Sequence, residues 1–129
     1  MADNSLNPKI MIVDDDQRLL TLYEATLKSQ GYRVVTASNG EQALSDIIRE
    51  KPDLVILDIM MPKLHGINVL DILKATPDVA DTKVVILTAL SDESMKNKAL
   101  ELGASDFIVK SETNMADLLS RVSKALNPR

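Results

Sequence analysis

The chain has 129 residues, 45% hydrophobic and 26% charged, with no Cys and no Trp. That length suits a single domain, and the absence of Cys excludes thiolate catalysis, Fe–S clusters, Cys-ligated zinc and disulfide frameworks. Fifteen Lys and Arg against nineteen Asp and Glu give a net charge of −4, with no basic footprint for nucleic acid or a membrane surface. Thirteen of the nineteen acids are Asp, a residue that favours caps, turns and metal sites over helix interiors. No run approaches the ~20 apolar residues that span a bilayer. Met1-Ala2-Asp3-Asn4-Ser5 lacks the basic start of a secretory signal. The expectation is a soluble cytoplasmic protein with a mobile tail over residues 1–8 and one domain over 9–127.

Five short apolar runs follow in order: Ile10–Val13, Arg33–Thr36, Leu54–Leu57, Val84–Leu87 and Phe107–Val109. The first, third and fourth are continuous and β-branched, as suits parallel strands covered on both faces. Helical stretches lie between them. Ala43, Leu44, Ile47 and Ile48 form the apolar stripe of the second helix, and Met115, Leu118, Leu119, Val122 and Leu126 that of the last. Asp16 suits the cap of the first helix. Asn39 with Gln42 forms a capping box for the second, and Ser91, followed by Asp92 and Glu93, caps the fourth. Gly31 and Gly103 end helices one and four. Five βα units with short connections predict an α/β fold: a five-stranded parallel sheet, doubly wound as (βα)5. The flavodoxin-like order 2-1-3-4-5 puts the switch point between strands one and three.

Ligands in such sheets bind outside the carboxyl ends of the strands. Strand one runs into Asp14-Asp15-Asp16, strand three ends at Asp58, strand four at Thr88 and strand five at Lys110. The second strand ends without charge. Each residue alone reads as a turn, a cap or a solvated charge; their coincidence at one edge does not. Clustered carboxylates repel unless a counter-charge joins them. An all-oxygen set with room for water points to Mg2+, with Mn2+ or Ca2+ as alternatives. A Thr hydroxyl and a Lys ammonium opposite the metal are what a phosphoryl group needs. Asp58, alone at the end of a central strand, is the candidate nucleophile.

Val13-Asp14-Asp15-Asp16, Leu57-Asp58-Ile59-Met60-Met61-Pro62 with Gly66, Leu87-Thr88-Ala89, Gly103-Ala104-Ser105-Asp106-Phe107 and Lys110 stand in the order and spacing of one family. Over about residues 9–126 the chain resembles the receiver domain of two-component response regulators. The resemblance implies Asp58 as phosphoacceptor, with Mg2+ held by Asp15, Asp58 and the backbone carbonyl of Met60, and with Asp14 acting through water. It assigns Thr88 and Lys110 to the phosphoryl oxygens. The donor would be a phosphohistidine on a histidine kinase or histidine phosphotransfer protein, and small phosphodonors can substitute. Thr88 and Phe107 would form a switch that alters the surface of helix four, strand five and helix five. Phe107 lacks a hydroxyl, so apolar burial would favour its inward rotamer. The protein would be a monomer or a phosphorylation-dependent dimer with an unspecified downstream effector, and an enzyme only toward its own phosphorylation and dephosphorylation.

Two positions depart from the family pattern. Ser111 replaces the usual Pro after Lys110, and Leu64-His65-Gly66 replaces the usual Met-Asp-Gly. The sole histidine, His65, is expected as an exposed loop residue rather than a phosphate acceptor or pH sensor. Two residues beyond Asp58 and Thr88 stand Met60 and Leu90, both apolar. Self-hydrolysis of an aspartyl phosphate would therefore lack local assistance.

Readings from other classes fit less well. In an aspartyl phosphatase of the haloacid-dehalogenase kind, Asp14 would be nucleophile and Asp16 acid, leaving Asp58 and Thr88 without roles. No nucleotide-binding glycine loop follows strand one, and aromatics at 2% cannot sandwich a flavin. A phosphorylation-independent pseudo-receiver does not account for the intact set of Asp14, Asp15, Asp58, Thr88 and Lys110.

Overall fold

The computed structural model describes residues 7–62 and 64–127. Strands β1 (Lys9–Val13), β2 (Arg33–Ala37), β3 (Leu54–Leu57), β4 (Lys83–Thr88) and β5 (Asp106–Val109) alternate with helices α1 (Gln17–Ser29), α2 (Gly40–Glu50), α3 (Gly66–Ala75), α4 (Glu93–Glu101) and α5 (Met115–Leu126). All neighbours are parallel, in the order β2-β1-β3-β4-β5. The flavodoxin-like expectation is met. Of the tail expected over 1–8, residues 1–6 lie outside the described residues. Asn7 Nδ2 donates to Gly31 O, and Arg33 N donates to Pro8 O.

Alternation along the strands builds two cores. Met11, Val13, Val55, Leu57, Val84, Ile86 and Phe107 pack against α2, α3 and α4. Ile10, Ile12, Leu54, Ile56, Val85, Leu87 and Ile108 pack against α1 and α5. Both faces of β1, β3 and β4 are covered, which is why their sequences run apolar without a break. Each fully buried aliphatic side chain contributes about 1.5–3 kcal/mol of transfer free energy. Among the described residues no helix is long and apolar enough to cross a membrane.

The punctuation mostly follows expectation. Asp16 caps α1 by accepting from Arg18 N. Asn39 caps α2 by accepting from Gln42 N, while Gln42 Oε1 reaches one residue further back than a capping box requires, to Ser38 N. Gly31 and Gly103 take positive φ after α1 and α4. Three expectations need correction. Asp92, not Ser91, caps α4, because its carboxylate accepts from both Ser94 N and Met95 N. Ile48 lies off the buried stripe of α2 at 51% exposure; Ala43 and Ile47 hold the core contact. His65 is not a bare loop residue. It is half-buried and caps α3, with Nδ1 accepting from Ile67 N at 3.2 Å.

Candidate functional site at the carboxyl edge of the sheet

Parallel pairing aligns the strand ends. Val13 is in register with Leu57, so Asp14 and Asp58 are the next residues of adjacent strands, and Asp58 N donates to Val13 O. Thr88 closes β4 beside Val109 of β5, and Lys110 follows at once. Asp14, Asp58 and Thr88 are buried, with Thr82 the only other buried polar residue among those described. The buried polarity of this protein is thus concentrated at the edge that the sequence singles out.

Lys110 Nζ donates to Asp14 Oδ2 at 2.7 Å and to Asp58 Oδ2 at 3.1 Å. Asp14 Oδ1 accepts from Asp16 N at 2.9 Å, and Asp58 Oδ1 accepts from Met60 N at 3.0 Å. Asp15 is exposed, yet it offers an oxygen within 4.8 Å of those offered by Asp14 and Asp58. One ammonium therefore faces three carboxylates. Burial pushes the Asp58 carboxyl above its usual range, and the Met60 amide and Lys110 only partly oppose this. For Lys110, burial acts to lower the pKa, but the hydrogen bond to Asp14 and the charges of Asp58 and Asp14 together hold it above its usual value.

The donor set fits a hard divalent cation. It consists of oxygens alone, carries excess negative charge, and leaves its solvent side open at Asp15, as Mg2+ requires in order to keep several waters. Met60 is 51% exposed, held between buried Ile59 and Met61, and its own N–H lies on the Asp58 carboxylate. Thr88 Oγ1 accepts a long hydrogen bond from Leu90 N at 3.3 Å. The structure brings Asp14, Asp15, Asp58, Met60, Thr88 and Lys110 to one edge. Phe107 stands apart, buried on the α4 side of the sheet on the same face as Thr88.

Ser111 lies in a single 3-10 turn, Lys110–Glu112, and the described residues contain no cis peptide. Asn114 then caps α5 by accepting from Asp117 N. Sequence reasoning missed a fork beside Phe107. Arg121 of α5 donates through Nε and Nη2 to the two oxygens of Asp106 at 2.8 and 2.7 Å. Such a pair joins different elements, so no spacing in the chain announces it.

The family model for the response regulator receiver domain matches residues 10–123. The chain is 44% identical over 123 residues to a probable transcriptional regulator, ycf27, of Porphyridium aerugineum, a match covering 91% of this chain and 50% of that protein. It is 42% identical to the transcriptional regulatory protein CpxR of Escherichia coli over 118 residues, covering 92% of this chain and 49% of CpxR. It spans about half the length of these curated relatives. Among solved structures, the BeF3-activated N-terminal receiver domain of Klebsiella pneumoniae RstA superposes with a TM-score of 0.85 at 39% identity, covering 92% and 98% of the two chains. The chemotaxis protein CheY4 of Vibrio cholerae superposes at 0.86 with 26% identity, covering 92% and 98%. A match over most of the chain, on this sheet order and with this carboxylate edge, places the chain in the receiver-domain family of two-component response regulators.

Proposed function

We propose that Asp58 accepts a phosphoryl group from a phosphohistidine of a histidine kinase or histidine phosphotransfer protein. A carboxylate oxygen of Asp58 forms the new bond to phosphorus as the P–N bond breaks, and the electron pair returns to the imidazole nitrogen. The observation that carries this reading is the Lys110 ammonium held between Asp14 and Asp58 at 2.7 and 3.1 Å. It stands ready to neutralise a phosphoryl oxygen and fixes the acceptor carboxylate in place. Asp14, Asp15, Asp58 and the Met60 carbonyl would hold Mg2+, which supplies charge neutralisation for the transferring group. Thr88 would donate its hydroxyl to the same group.

Movement of Thr88 toward that group would alter the packing above Phe107 and so the surface of α4, β5 and α5. Output through that surface, with or without dimerisation, in a cytoplasmic setting accords with relatives that are transcriptional regulators. The domain is assigned to residues 9–127, and its chemistry is confined to its own carboxylate.

The test is incubation with Mg2+ and acetyl phosphate, read as intact mass. The wild type gains one phosphoryl group and Asp58→Asn gains none; equal labelling of the two overturns the reading. Because Met60 is exposed and Leu90 partly buried, with no polar side chain at either position, loss of phosphate from the purified phosphoprotein is expected to be slow. A lifetime of only seconds contradicts this.

A further inference from the structure

The loop between β3 and α3 carries Met60, and two glycines press on it. At Gly66 an added Cβ would collide with Ile59 Cα and meet the Asp58 carbonyl oxygen at 2.5 Å. Gly66 N also donates to Ile59 O at 3.1 Å, so α3 starts directly on the backbone that bears the acceptor. Gly66 belongs to the family motif that contains Asp58. Gly40 does not.

Gly40 opens α2, after the edge strand β2, which contributes no residue to the site. A Cβ there would lie 2.6 Å from the Leu64 carbonyl oxygen, 2.9 Å from Leu64 Cβ and 2.9 Å from Val69 Cγ2. The closest of these atoms is backbone, which cannot swing aside as the end of a flexible side chain can. The described residues of the loop it would displace are tied down. Ile59 is fully buried with its carbonyl taken by Gly66, Leu64 N donates to Pro62 O, and His65 is occupied in capping α3. At the other end, Met60 N is held by the Asp58 carboxylate. Because the Gly66 N–Ile59 O bond closes this loop at its base, a displacement of Leu64 bears on Met60 within the same closed loop.

We propose that Gly40 is a positioning residue of the phosphoacceptor site: its bare Cα lets the start of α2 seat Leu64, which fixes the Met60 backbone against Asp58. The inference rests on the assignment of Asp58 and Met60 given above. A glycine needed only for packing would affect stability and nothing else, so the test reads two other quantities. One is the dissociation constant for Mg2+ alone, by calorimetry on the metal-free protein; the other is hydrogen exchange of the Met60 amide without metal.

Gly40→Ala is expected to weaken Mg2+ binding by about tenfold or more, the scale seen when groups supporting metal ligands are lost, and to speed Met60 exchange. Ile47→Ala, about two turns further along the same helix and in the same core, lowers the thermal midpoint and leaves both readings unchanged. Should Gly40→Ala fail to fold, Leu64→Ala loosens the same seat from the other side and carries the same expectation. Wild-type Mg2+ affinity and wild-type Met60 exchange in the folded variant overturn the proposal. Failure of the wild type to bind Mg2+ instead overturns the underlying assignment of the site.

Discussion

The two ends of the sheet handle buried charge in opposite ways. At the amino end, Lys9 pairs with Glu50 at 3.1 Å, and the Lys9 amide donates to Asp53 Oδ2. Lys74 ends on the carbonyls of Ala80 and Thr82 at 3.2 and 2.7 Å, and burial pulls its pKa below the usual value. There the Lys9 ammonium answers a single carboxylate, and the Lys74 ammonium is satisfied by neutral carbonyls. At the carboxyl end a single ammonium serves two buried carboxylates, with a third acid close by. An end that balances its charges is a structural joint. An end with surplus negative charge favours cation binding, and stability there depends on what is bound.

The contrast can be broken most forcefully at its two lysines. Lys110→Met leaves Asp14 and Asp58 facing each other at the strand ends. The metal-free protein is expected to lose about 3 kcal/mol, and added Mg2+ should raise its thermal midpoint more than that of the wild type. Equal metal-free midpoints would show that the carboxylates do not depend on the ammonium. Lys74→Met strands two carbonyls at the other end, at a cost of about 1–2 kcal/mol. Its midpoint should shift by the same amount with and without Mg2+; a Mg2+-dependent difference would join the two ends energetically.

The smallest expected effect concerns Asp58 itself. Burial raises its folded pKa above the usual 3.8. The stability it contributes is therefore fully present below that ordinary value and is lost as pH rises through the raised folded value. In metal-free protein, Asp58→Asn should raise the midpoint by a few degrees near neutrality, with the gap closing toward about pH 4. A gap that widens on acidification would contradict the burial argument. From the sequence alone, Asp14→Asn should relieve the same repulsion. The structure makes Asp14 the closer partner of Lys110 and gives its other oxygen to Asp16 N, so its neutralisation sacrifices more and should stabilise less.

What the sequence discloses is whatever repeats along the chain or stands at a strand's end. The unbroken run Leu54–Leu57 announces a strand buried on both faces, and the doubly wound rule then carries Asp14, Asp58, Thr88 and Lys110 to one edge. Contacts between elements are illegible. No spacing relates Gly40 to Leu64, Lys74 to Thr82 or Asp106 to Arg121. Local chemistry also misleads where neighbouring residues are equally suited to a position. Ser91 and Asp92 both make caps, and only backbone geometry selects the aspartate. His65 attracts notice as the sole histidine, whereas its contribution to the fold is the cap that Nδ1 places on α3.

The bridge from Lys110 to Asp14 spans 96 residues of chain, and that to Asp58 spans 52. Contacts of such separation form late, after the cost of closing long loops has been met. The first carboxylates follow the first strand of the sheet, but their ammonium arrives only when the last strand docks. A nascent, nicked or partly unfolded chain therefore holds the acids without the cation that organises them. Competence to receive a signal becomes a certificate that the whole sheet has been assembled.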